Sequence, residues 1–85
     1  MKTEFLITFR SVTFAQRAER VLRHENIFSQ MQRTPKMLTA RGCGYCLRFK
    51  AYDALHALAL LQSEQIPFER LYKIGADGVP RERAL

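Results

Sequence analysis

Apolar residues alternate along Glu4-Phe5-Leu6-Ile7-Thr8-Phe9, with Phe5, Ile7 and Phe9 on one side and Leu6 and Thr8 on the other. That period of two, in a segment rich in aromatic and β-branched residues, predicts a strand. Ser11 then stands as an N-cap, and the period lengthens to that of a helix running to about Glu25. Ala15, Ala18, Val21 and Leu22 form its apolar stripe, opposite Arg17, Arg20 and Arg23. Asn26 supplies the stop, and Ile27 to Arg33 reads as a second strand with a polar outer side, suited to a sheet edge.

Thr34-Pro35 opens a loop lasting to about Gly42, longer than the roughly 2 to 5 residues usual in a hairpin. Tyr45, Leu47 and Phe49 alternate with Cys46 and Arg48 as a third strand. Asp53 begins a second helix to about Ser63, with Leu55, Leu58 and Leu61 as its expected stripe and Ala57, Ala59 and Leu60 widening it. Phe68 to Ile74 is a fourth strand, and Gly75 onward reads as a tail. The order βαββαβ predicts an α+β, ferredoxin-like domain over residues 1–75, followed by a C-terminal tail at 76–85. Its four-stranded antiparallel sheet carries two helices on one face. Alternation leaves Leu6, Thr8, Cys46, Arg48, Leu71 and Lys73 on the opposite, open face, where a second copy could pair.

Composition changes this picture little: 85 residues, 47% hydrophobic and 26% charged, suit one small core. No apolar stretch approaches the roughly 20 residues of a membrane span, and the first ten residues lack a secretory leader's apolar run. A cytoplasmic protein without membrane contact is expected. The net charge of +6, carried by ten arginines against four lysines, favours an anionic partner without choosing one.

Two cysteines are too few to brace a secreted domain, so their expected role is reactive or metal-binding. Cys43 lies between Gly42 and Gly44, where no neighbouring side chain shields the thiol. Arg41, Lys36, Arg33 and Arg10 are expected near it and would favour the thiolate. The ordinary alternative for a free cysteine is a small buried residue at a strand start. Cys43-Gly44-Tyr45-Cys46 also has the spacing of redox motifs and of half a zinc knuckle. A redox motif caps a helix, whereas this one leads into a strand, and a disulfide there would need a turn at Gly44. Zinc would need His24, His56 or another chain to complete four ligands, and no metal or other cofactor is expected. Arg41 to Tyr45 partly matches an RNA-recognition submotif, yet Cys43 replaces the stacking aromatic and the face shifts by one, turning Tyr45 inward. Nucleic acid is therefore not an expected partner.

These residues, with Phe5 to Ser11, the Ala15–Leu22 pattern, Thr34-Pro35-Lys36, Cys43-Gly44 and Leu47-Arg48-Phe49, resemble the selenium/sulfur carrier protein-like family of small bacterial proteins. The resemblance implies that Cys43 accepts sulfur or selenium as a persulfide or selenopersulfide and passes it between donor and acceptor proteins. Arg41, Gly42, Gly44, Lys36 and Arg48 would line that site. Cys46 and Arg41-Gly42 depart from the family pattern; Cys46 is either a resolving thiol or, as we favour, a small strand residue. This implies a carrier more than an enzyme. The alternative is an interaction or ligand-sensing module that dimerises through the open sheet face, its cysteine structural.

Overall fold

The computed structural model describes residues 3–38 and 44–83. Five strands and two α-helices follow one another as β1 (Glu4–Phe9), α1 (Val12–His24), β2 (Ser29–Arg33), β3 (Tyr45–Lys50), α2 (Ala54–Ser63), β4 (Arg70–Ile74) and β5 (Pro80–Arg83). Short 3-10 turns at Lys36–Leu38 and Ala51–Asp53 precede β3 and α2. All neighbouring strands are antiparallel, in the order β2-β3-β1-β4-β5. The molecule is an α+β domain, and β2 is an edge strand as its polar outer side predicted.

Local chemistry explains why α1 forms where it does. The Ser11 hydroxyl accepts the Phe14 N–H at 3.4 Å, satisfying one of the free donors of the first turn. At the other end Asn26 takes a left-handed conformation, φ 61°, while its N–H reaches the Arg23 carbonyl. Ala15, Ala18 and Leu22 are fully buried against Ile7, Phe9, Leu47, Phe49 and Leu71 of the sheet. The same cluster takes Ala54, Ala57 and Leu61 from α2, so both helices cover one face. Phe5 and Phe49 stack beside it with ring centroids 6.2 Å apart.

Four expectations change. The sheet has five strands where four were expected, because Pro80–Arg83, read as part of a tail, pairs with β4. A turn closed by Gly78 N–H to the Gly75 carbonyl, with Gly78 at φ 77°, folds the chain back. Asp77 fastens it, accepting the Val79 N–H at 3.0 Å and pairing with Arg81 at 2.8 Å. The Arg81 guanidinium, with the Val79 N–H, holds the Asp77 carboxyl below its usual range. Alternating charges in Pro-Arg-Glu-Arg hid this strand, since β5 is an outer strand with little to bury.

The face assigned to β4 is also reversed. Ile7 pairs with Leu71 and Leu6 with Tyr72, so Leu71 joins the helix-side core while Tyr72 and Ile74 go to the other face. Both alternations of Arg-Leu-Tyr-Lys-Ile contain apolar residues, and only pairing with β1 chooses between them. That other face is not open: Leu6 and Cys46 are 0% exposed there and Tyr72 and Ile74 nearly so, with Leu38 packed against them. In α2, finally, Leu55 is 85% exposed, and Ala54, Ala57 and Leu61 form the buried stripe instead. A helix that is apolar around most of its circumference has little periodic signal to orient it.

Candidate functional site

The β2–β3 hairpin positions the cysteine segment. Arg33 pairs with Tyr45, and one step further the Thr34 N–H donates to the Gly44 carbonyl at 2.6 Å. The two ends of the connection are thereby tied together, and Gly44, half-buried, is the first residue after Cys43. Arg41, Gly42 and Cys43 themselves lie outside the described residues. Phe9 also pairs with Tyr45, so Arg10 and Arg33 reach the same end of the sheet as Gly44. The Arg33 guanidinium lies over the Tyr45 ring, 5.7 Å from its centroid. Arg10 approaches Glu69 at 3.9 Å, and Lys36 is exposed in the turn that follows Pro35. Tyr45 packs against the helix-side core, the inward turn expected of it.

Cys46 is placed differently. It points to the face away from the helices, beside Leu6, and is 0% exposed. Burial pushes its thiol above the ordinary value, opposed more weakly by the Thr34 hydroxyl and the Arg48 charge. A thiol kept neutral and out of solvent is a poor nucleophile. The Thr34 oxygen beside it is buried without a hydrogen bond of acceptable geometry, so we read that contact as proximity rather than a formed bond. Thr34→Val, which removes the orphaned hydroxyl and keeps the shape, is expected to raise stability by about 1 kcal/mol in urea titration. A loss of similar size would show that the hydroxyl makes a working bond to sulfur.

Arg48 lies two residues beyond Cys46 on that same face, where its guanidinium approaches Glu4 at 3.7 Å and leaves Nε buried without a partner. Lys50 shares that carboxylate at 3.7 Å. Strand geometry of about 3.3 Å per residue sets Arg48 roughly 13 Å along β3 from Gly44, so the structure does not bring it to the cysteine end. Among the described residues no three His, Cys, Asp or Glu side chains gather as a metal centre, and no helix is long and apolar enough to cross a membrane.

What sequence reasoning missed here is the burial of Cys46, which it placed on an open face. β3 gave little signal of it, since Cys46 shares its face with Arg48 and Lys50, and the cover comes from Leu6, Tyr72, Ile74 and Leu38 of other segments.

The described residues define a small α+β domain with Cys46 buried on the sheet face away from the helices; Cys43 falls in the sequence between β2 and β3. The model of the family described as "Putative Se/S carrier protein-like" matches residues 4–73, and the chain belongs to that family. The match spans β1 to β4 and stops short of β5. No curated protein and no solved structure matches the chain.

Proposed function

We propose that the protein carries a sulfur or selenium atom on Cys43, as a persulfide or selenopersulfide, between a donor and an acceptor protein. Family membership supports the class of cargo. The observation that carries the assignment to Cys43 is the burial of Cys46: of the two thiols in the chain, one is 0% exposed with its ionisation suppressed. A carrier thiol must meet a donor and then an acceptor, and Cys46 meets neither requirement. We read the first four strands, ordered β2-β3-β1-β4, as ferredoxin-like with β5 added at the edge. The cytoplasm, where thiols stay reduced, suits such a carrier.

Loading is a thiol exchange. The Cys43 thiolate attacks the terminal sulfur of a donor persulfide, a new S–S bond forms, and the donor's inner sulfur leaves as a thiolate. No oxidant is needed. The basic residues described at this end of the sheet, Arg33 and Arg10, with Lys36 in the turn after Pro35 and Arg41 two residues from Cys43 in sequence, would favour the attacking thiolate. Gly42 and Gly44 on either side would leave the loaded atom reachable. Cys46 serves as packing in this reading, with no resolving role.

Intact mass after incubation with a small-molecule persulfide tests it. Wild type and Cys46→Ala are expected to gain one sulfur, reversibly by reductant, and Cys43→Ser to gain none. In native protein one thiol should react quickly with an alkylating reagent, and the second only after unfolding. Equal adducts on Cys43→Ser and wild type would sink the proposal.

A further inference from the structure

The two edges of the sheet are built differently. β5, at one edge, begins with Pro80 and continues Arg81-Glu82-Arg83, and proline with alternating charge guards an edge against further pairing. β2, at the other, reads Ser29-Gln30-Met31-Gln32 and is uncharged until Arg33. No other described strand pairs with its outer side. The register says which backbone groups are left there. Thr34 donates to Gly44 directly across the β2–β3 ladder, and hydrogen-bonded pairs recur at every second residue, so Gln32 and Gln30 also turn their N–H and C=O groups to β3. Ser29, Met31 and Arg33 point theirs outward, into the unpaired edge. Beside the start of this edge, on the sheet face away from the helices, a hollow of about 200 Å³ is lined by Glu4, Phe28, Gln30, Arg48 and Lys50. Phe28 is 73% exposed there. Arg48 and Lys50 share the Glu4 carboxylate, each at 3.7 Å, beyond the roughly 2.7–2.9 Å of a charge-assisted hydrogen bond, and Arg48 Nε has no acceptor.

We infer that the free edge of β2 docks an extended, acidic segment of a partner protein, which adds to the sheet as a further strand and lays a carboxylate side chain toward Arg48 and Lys50. Backbone chemistry selects a peptide. Outward N–H and C=O groups at alternate residues are matched in spacing by another strand, whereas a nucleic acid has no such repeat of donor and acceptor. Charge selects an acidic one. The hollow sets two cations against one carboxylate, Arg33 ends the edge, and the whole chain carries +6. The same charge works against a second copy, which would bring another +6 to the join. Gln30 stands between the added strand and Arg48, and long side chains on both sides span it across the hollow. A segment lying along β2 runs from the hollow to Thr34, where the connection containing Cys43 begins. The inference does not rest on what Cys43 carries.

Backbone amide shifts of the full chain, followed by NMR during titration with a synthetic peptide, test this. The probe is about seven residues long, one strand's length, and alternates glutamate with valine. Shifts are expected at Ser29, Met31 and Arg33, saturating below about 5 mM peptide and weakening as salt is added. Lysine in place of glutamate, or methylation of the alternate amide nitrogens that face β2, should weaken binding about tenfold or more. Lys50→Gln should weaken it about threefold while circular dichroism stays unchanged. Cys43→Ser should bind as wild type does, which keeps this result apart from that of sulfur loading. Equal binding of the lysine peptide, indifference to amide methylation, shifts confined to β5, equal shifts with oligouridylate, the same shifts on concentrating the protein alone, or no shift up to about 5 mM peptide would each overturn the inference.

Discussion

Phe49→Ala is expected to cost about 3 to 5 kcal/mol, a large part of the roughly 5 to 15 kcal/mol that holds a small domain folded. Phe49 is 1% exposed on the second strand of the sheet order, stacked on Phe5 and packed in the core shared by both helices. Removing the ring leaves a cavity bounded by two layers, and β3, hydrogen-bonded on both sides, has little freedom to collapse into it. The urea midpoint should fall by about 2 M or more, given a slope near 1 to 2 kcal/mol per molar for a chain of this size. A loss under about 1 kcal/mol would mean that the described packing around the ring is wrong.

Leu6→Ala is expected to cost about 2 to 5 kcal/mol, nearly as much, although Leu6 faces away from the helices. This substitution separates two pictures of the molecule. If the second sheet face were open to solvent, trimming Leu6 would change stability by about 0.5 kcal/mol or less. In the structure Leu6 is 0% exposed beside Cys46, Tyr72 and Ile74, with Leu38 against the group. The second cluster is small, so a truncation at its centre loosens all of it. A urea midpoint close to wild type would restore the open face. Cys46→Ala, diagonally across the β1–β3 ladder where Cys46 pairs with Thr8, should cost less, since a single sulfur atom is removed.

The consequence for function runs through the same cluster. Burial of the second face seals Cys46, and sealing Cys46 makes Cys43 the thiol on which a carrier function would rest. Leu38, the last residue described before Cys43, packs against that cluster, while Thr34 and Gly44 are joined across the hairpin. The cysteine-bearing connection is therefore anchored at both ends to packed structure. Substitutions at Leu6 or Leu38 would act on the anchoring of this connection as well as on stability.

Much of the fold was legible in the order of residues. β1, α1 and β3 each carry one unambiguous period, and α1 has its cap and stop residues in place, so their positions follow from local physics alone. The inward turn of Tyr45 and Phe49 follows from the same alternation. The two cysteines, their spacing and the glycines around Cys43 are likewise properties of the sequence.

Other features belong to the tertiary structure, because each depends on a partner distant in the chain. β4 is apolar on both alternations, and its facing was settled by Ile7 opposite Leu71. α2 is apolar around most of its circumference, so contact with α1 and the sheet, not period, decided that Leu55 faces outward. β5 has scarcely any apolar pattern and exists because the Gly75–Gly78 turn returns it to the free edge of β4. The burial of Cys46 is a sum over neighbours from β1, β4 and the Lys36–Leu38 turn. Local sequence specifies period and termini; which surface loses its water is decided only when the strands pair and the layers close.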